Sequence, residues 1–290
     1  MNQKEALMKA GVLAEALPWL LKFQNCIVVI KFGGNAMVDK SLLHTFAQDV
    51  VFLRLAGLKP IVVHGGGPQI TKRLEEKGII SEFKNGYRVT TGEVVGIVKD
   101  VLVNEIQKDI VNAINAMKSM AVGISGDEFD LIQVKKMMID QTIDIGFVGD
   151  VERVDIKQII EVLESGEIPV ISSLGIDNKG QIFNVNADSA ASAIAKSLRA
   201  NKLVLLTDVA GLLGNYPDET TLINTLSLSE LEKMIPNLDS GMRPKMESCF
   251  EAVSSGVSRA HVIDGRKPHA LLVEVFTDSG TGTMITKDLE

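Results

Sequence analysis

The chain has 290 residues, 46% hydrophobic and 23% charged, with a formal net charge of −7 and a pI near 5.3. The length suffices for a large core, as one α/β unit or two joined lobes, while the acidic balance excludes nucleic acid as the main partner, because phosphate backbones select basic surfaces. Two cysteines without paired spacing, Cys26 and Cys249, exclude a disulfide framework and suit a reducing compartment. No apolar run approaches the roughly 20 residues of a membrane span, so a cytoplasmic location is expected.

From the N-terminus, residues 4–23 place Leu7, Leu13, Leu17, Leu20 and Leu21 roughly on one helical face, with Pro18 set to kink or end the helix. Two uses are open: a helix packed on its own subunit, or an arm between subunits. Apolar runs at 26–32, 61–64, 120–124, 168–173, 203–208, 259–264 and 271–276 read as strands covered on both faces, hence a largely parallel central sheet. Helical patterns at 42–55, 69–77, 93–117, 157–164, 187–198, 229–234 and 245–254 fill the gaps. Two hairpins interrupt the alternation, one turning at Asn85-Gly86 and one running along 131–138 and back along 146–154. Hairpins beside a parallel sheet can form lids. The expected division is a helix or arm over 1–25, a lobe over 26–175 and a second lobe over 176–290, with a soft boundary near 175–180.

Three polar or glycine-rich stretches follow in order: Lys31-Phe32-Gly33-Gly34-Asn35-Ala36-Met37, Val63-His64-Gly65-Gly66-Gly67-Pro68 and Asn184-Val185-Asn186-Ala187-Asp188. The first two each follow a β-branched run and precede a helical pattern, so their glycine N–H groups can converge on an anion at helix N-termini. Together they read as a phosphate-handling site. Neither is a P-loop, since no Gly-Lys-Ser/Thr occurs, and the protein-kinase motif set is missing too. His44, His64, His261 and His269 show no metal-ligand spacing, so no protein-held metal is expected.

These three stretches, with Asn85-Gly86-Tyr87-Arg88-Val89-Thr90, Leu206-Thr207-Asp208-Val209 and Gly241-Met242-Arg243-Pro244-Lys245, resemble the amino acid kinase family, in the branch acting on N-acetyl-L-glutamate. The resemblance runs from about Ile27 to the C-terminus and implies an α/β fold whose largely parallel central sheet is sandwiched by helices, with a β-hairpin lid and an extra N-terminal helix. It implies transfer of the γ-phosphoryl of ATP, with Mg²⁺, to the side-chain carboxylate of N-acetyl-L-glutamate. A carboxylate nucleophile is ionised at pH 7 and needs no general base, so catalysis reduces to alignment and charge neutralisation.

The roles implied by the resemblance are these. Lys31 and Lys245 would flank the moving phosphoryl group, and Asp188 would orient both. Gly33 and Gly34, with Asp208 and Gly211, would face the nucleotide; Gly66 and Gly67 would supply N–H donors to the acceptor side. Arg88 would grip the α-carboxylate, and Asn184 and Asn186 would donate to the substrate. Asn186 and Asp188 would equally suit a helix cap and first turn.

Arginine-inhibited members carry an extra N-terminal helix, and Leu17-Pro18-Trp19 stands in that place. The segment from His269 to Phe276, leading to Gly280-Thr281-Gly282-Thr283-Met284, resembles the family's arginine site. This implies Trp19, Lys202, His269, Glu274 and Gly282 around arginine, and an arm joining dimers into a hexamer. Alternatives are an acetylaminoadipate kinase of the same fold and a non-catalytic arginine-binding regulator. Two departures from the pattern stand out: Arg243, where an apolar residue is usual, and the loop Ser125-Gly126-Asp127-Glu128-Phe129-Asp130.

Overall fold

The computed structural model describes residues 3–140, 142–277 and 280–287. Its helices are α1 (Gln3–Glu15), α2 (Leu17–Lys22), α3 (Lys40–Leu55), α4 (Gly67–Glu76), α5 (Gly92–Lys99), α6 (Lys108–Asn115), α7 (Lys157–Glu164), α8 (Ala187–Ser197), α9 (Leu228–Met234), α10 (Arg243–Ser254) and α11 (Ala270–Phe276). A π-helical segment, Asp100–Gln107, joins α5 to α6 without a break. The strands are β1 (Ile27–Phe32), β2 (Lys59–His64), β3 (Phe83–Lys84), β4 (Tyr87–Arg88), β5 (Ala121–Ser125), β6 (Ile132–Ile139), β7 (Ile143–Val154), β8 (Ile168–Ser172), β9 (Leu174–Ile176), β10 (Ile182–Val185), β11 (Lys202–Thr207), β12 (Thr225–Ser227), β13 (Arg259–Asp264) and β14 (Thr283–Thr286).

The main sheet has eight strands in the order β12-β14-β13-β11-β1-β2-β8-β5, with only the β13–β14 pair antiparallel. Strand β1 lies between β2 and β11, pairing Val29 with Ile61 on one side and Leu203 on the other. Alternate side chains feed two cores, as the two-residue repeat of a strand requires. Val29, Ile61, Val63 and Leu205 pack with α8 and α10, while Val28, Ile30, Val62 and Val204 pack with α3, α6 and α11. The hairpin β6–β7 closes with β9 and β10 into a small four-stranded barrel, whereas β3–β4 forms a separate two-stranded ribbon.

The expected strand at 271–276 is a helix instead. Ala270, Leu271, Glu274 and Val275 are its buried positions, a helical spacing, and the place beside β13 is filled by β14. Strands β9, β10, β12 and β14 are short and were not read from the sequence. At the N-terminus, Pro18 stands in the first turn of α2, where its missing N–H costs nothing. Leu7, Met8, Val12, Leu13, Leu17 and Leu21 are all more than half exposed, so this apolar surface is uncovered by the rest of the chain.

Candidate active site and a second cavity

Both glycine stretches end strands of the main sheet and lead into helices. Gly66 precedes α4, with Pro68 in its first turn, and Asn186 caps α8, its Oδ1 accepting from the N–H groups of Asp188 and Ser189 at 2.9 and 3.1 Å. The positive ends of these two helices therefore border one space. The cap consumes the Asn186 carbonyl oxygen, so only its amide nitrogen can donate toward a ligand. Asn184, on β10, lies 3.4 Å from the Thr90 hydroxyl.

Asp188 is buried between two lysines. Lys31 Nζ forms an ion pair with Oδ1 at 3.0 Å, and Lys245 Nζ donates to Oδ2 at 2.9 Å. Burial alone would raise the Asp188 pKa, but the two ammonium groups outweigh it and hold the carboxylate well below its usual range. Burial likewise disfavours charged Lys245, and Asp188 more than offsets it, raising that lysine's pKa.

Two cavities meet at this cluster. One, of about 900 Å³, is bordered by Lys31, Gly34, Asp208, Gly211 and Lys245, with an apolar wall of Leu212, Met234, Leu238 and Met242 and with Tyr216 exposed along it. The other, of about 290 Å³, is bordered by Gly33, Gly66, Gly67, Arg88, Asn184 and Asn186. Lys31, Gly34 and Lys245 belong to both. Gly34 has φ +73°, and a Cβ there would lie 2.7 Å from both carboxylate oxygens of Asp208. A Cβ on Gly66 would collide with Ile106 Cδ1 of the π-helical segment, whereas one on Gly67 would meet nothing within 4 Å. Gly66 thus packs closely under the Ile106 and Leu102 side chains, and Gly67 borders open space.

Arg88 is buried, yet all its partners among the described residues are neutral. Nη2 donates to the Gly67 carbonyl at 3.0 Å and the Thr71 hydroxyl at 2.7 Å, Nη1 donates to the Ser81 hydroxyl, and the guanidinium stacks 4.7 Å from the Phe83 ring centre. Burial lowers its pKa with no opposing charge. A buried cation without a carboxylate partner among the described residues, bordering a cavity, suits an anionic ligand. Thr71 and Ser81 have no motif that would have announced them. His64, fully buried, has its pKa lowered to about 4 by burial, and its Nδ1 lies 3.1 Å from the Gly65 carbonyl. That fits a structural strand-end residue.

A separate cavity of about 430 Å³ lies across β11, β13 and α11 and brings together Trp19, Lys202, Glu274 and Gly282. Arg259 and His261, which the sequence did not single out, line it too. Lys202 stands over the Phe23 ring at 4.6 Å, and its pKa falls to about 8, chiefly through burial. His269 is not part of this group: its Nδ1 lies 2.6 Å from Asp49 Oδ1, tying the start of α11 to α3. The correction follows from the helix, since His269 precedes its first turn while Glu274 points from its far half.

Among the described residues no group of three or more histidines, cysteines or carboxylates could hold a metal ion, and no helix is long and apolar enough to cross a membrane.

The amino acid kinase family model matches residues 27–264. A Beutenbergia cavernae protein named acetylglutamate kinase is 52% identical over 288 residues, covering 98% of this chain and 92% of that one. Its namesake from Salinispora tropica is 51% identical over 284 residues, covering 97% and 96%. Among solved structures, N-acetylglutamate synthase from Neisseria gonorrhoeae, complexed with coenzyme A and L-arginine, aligns with a TM-score of 0.81 at 25% identity. That alignment covers 95% of this chain and 64% of the synthase chain. Carbamate kinase from Giardia lamblia, at 18% identity and a TM-score of 0.65 over 91% of this chain and 99% of that one, shares the fold.

Proposed function

The chain belongs to the amino acid kinase family, and from that premise we propose that it transfers the γ-phosphoryl group of ATP to the side-chain carboxylate of N-acetyl-L-glutamate. The products are the acyl phosphate and ADP. The observation that carries this reading is the placement of Lys31 and Lys245 on one buried carboxylate at the junction of two cavities. The larger cavity takes the nucleotide, with Gly33, Gly34, Asp208 and Gly211 along the phosphates, and the smaller takes the acetylated amino acid.

The attacking oxygen is already anionic, so no proton must move before phosphoryl transfer. What opposes reaction is the approach of one anion to another. Lys31 and Lys245 offset that charge in the transition state, and Asp188 holds both in place without competing as a nucleophile, being itself paired twice. Gly66 and Gly67 hold the N-terminus of α4 against the acceptor carboxylate. Arg88 binds the α-carboxylate, and the amide nitrogens of Asn184 and Asn186 donate to the acetamido end. Mg²⁺ would be supplied with the nucleotide as MgATP, where it would offset charge on the phosphates. The expected boundary near 175–180 spans the end of β9 and the turn before β10, and we take it as the division between acyl-substrate and nucleotide lobes of a cytoplasmic enzyme.

For the second cavity we propose arginine as inhibitor, its guanidinium on Glu274 and its carboxylate on Lys202, with Trp19 linking the site to the N-terminal arm. The uncovered apolar surface of α1 and α2 supports an arm that joins dimers into a hexamer. Hydroxylamine trapping with MgATP and N-acetyl-L-glutamate tests the reaction: hydroxamate that falls on adding arginine supports both readings, and none at all refutes the kinase.

A further inference from the structure

We propose that Thr71 is a specificity-determining positioning residue: by fixing Arg88 to the first two turns of α4 it sets the length of acid that fits the acceptor cavity, a proposal that rests on reading that cavity as the site of the acetylated amino acid. Arg88 ends the ribbon β3–β4, which pairs with no other strand among the described residues. A lone two-stranded ribbon is marginally stable, so its own pairing cannot hold a guanidinium in place. The hold comes from α4, which is rooted in the core through Ile70 and Leu74.

Thr71 Oγ1 donates its proton to the Gly67 carbonyl at 3.0 Å, and Arg88 Nη2 donates to that same carbonyl and to Thr71 Oγ1. The three groups close a triangle. With its proton spent on Gly67, the hydroxyl turns a lone pair to Arg88, and both protons of Nη2 are committed to α4. Neither oxygen is charged, so the guanidinium is placed without being neutralised, and its charge remains for a carboxylate. Ser81, in the segment between α4 and β3, takes a proton of Nη1. Neither Thr71 nor Ser81 borders the cavity, so both act through Arg88.

The same helix start serves the other end of the acid. Gly66 and Gly67 border the cavity with Lys31 and Lys245, where the side-chain carboxylate reacts, while the α-carboxylate rests on Arg88. Gly67 is therefore common to both grips, and the span between them is set by one rigid turn. An acid longer by one methylene cannot present both carboxylates at once unless Arg88 retreats, and shaped pockets discriminate one methylene by roughly 10- to 200-fold. Replacing Thr71 with valine keeps the volume, removes the acceptor for one Nη2 proton and lets the guanidinium withdraw toward Ser81.

The test compares kcat/KM for N-acetyl-L-glutamate and N-acetyl-L-aminoadipate, by hydroxamate formation with MgATP, in full-length wild type, Thr71→Val, Thr71→Ala and Thr71→Ser, each first checked by thermal unfolding. Serine keeps the hydroxyl; valine keeps only the shape. We expect Thr71→Val to raise KM for N-acetyl-L-glutamate about tenfold with kcat changed less than about twofold. Its preference for the shorter acid should fall at least about fivefold, while Thr71→Ser keeps the wild-type preference within about twofold. A preference unchanged in folded Thr71→Val, or lost equally in Thr71→Ser, overturns the proposal. If Thr71→Val does not fold, Thr71→Ala decides by the same ratio. A wild type that phosphorylates neither acid removes the kinase reading and this proposal with it, whereas an active wild type with an unaltered preference in the variants removes the proposal alone.

Discussion

Lys31 Nζ lies 3.0 Å from Asp188 Oδ1, an ion pair that occupies one side of the ammonium and leaves its other protons to a group at the junction of the cavities. Lys245 Nζ donates to the other carboxylate oxygen, Oδ2, at 2.9 Å. Replacing either lysine by alanine should lower kcat by about 10²–10³, the cost of a lost transition-state donor. Turnover is measured by hydroxamate formation at saturating substrates, and near-normal rates in both variants would overturn the mechanism.

Arg88→Lys keeps the charge and loses the planar fork. The Michaelis constant for N-acetyl-L-glutamate should rise by roughly 10- to 100-fold, in keeping with about 1.5–3 kcal/mol for a charged hydrogen bond, with that for ATP unchanged. An equal rise in both constants would place Arg88 in general packing rather than in the acceptor cavity.

Neighbouring glycines should separate packing from approach. Gly66→Ala drives a methyl into Ile106 and should cost roughly 1–3 kcal/mol of stability, partly recovered by Ile106→Val, which removes the colliding atom. Gly67→Ala meets nothing and should leave the unfolding temperature unchanged while reducing kcat/KM for the acceptor. Thermal melts and steady-state rates on the three proteins decide it.

Much of this site was legible because strand-end residues keep their order on a parallel sheet: a lysine or glycine run after an apolar stretch lands at its C-terminal edge. Lys31, Gly34 and Gly66 were found that way, with family motifs adding Asn184, Asp188, Lys245 and Arg88. Residues 271–276 misled because Leu, Val and Phe in a short apolar run satisfy either period, and the buried Glu274 that marks the helical face is a polar residue. His261 was hidden in the middle of a strand, where only the neighbour brought by α11 reveals its partner. Thr71, Ser81 and Tyr216 reach their positions through tertiary packing alone.

Stability should depend on pH through His64. The unfolded imidazole takes up a proton near pH 6.5, the buried one only near 4. Between those values the unfolded state binds more protons, so stability falls as pH drops, by about 3 kcal/mol in all at 1.36 kcal/mol per unit. Urea unfolding from about pH 7 to about pH 4 should show this loss in wild type and a shallower one in His64→Gln. Equal slopes would exclude His64 as the source.

A chain beginning at residue 26 should lose association beyond the dimer and respond weakly to arginine, since Trp19 lines the cavity and stacks on Phe23, whose ring Lys202 also faces. Light scattering and arginine inhibition curves provide the check. A truncated protein that stayed hexameric and fully sensitive would refute the arm.

One carboxylate serves as counter-ion to both lysines, and those lysines border both cavities. Phosphates entering from one side must draw on the same positive charge that the acceptor meets on the other. On the proposed reading the two substrates are coupled: loading one anion reduces the positive field left for the other.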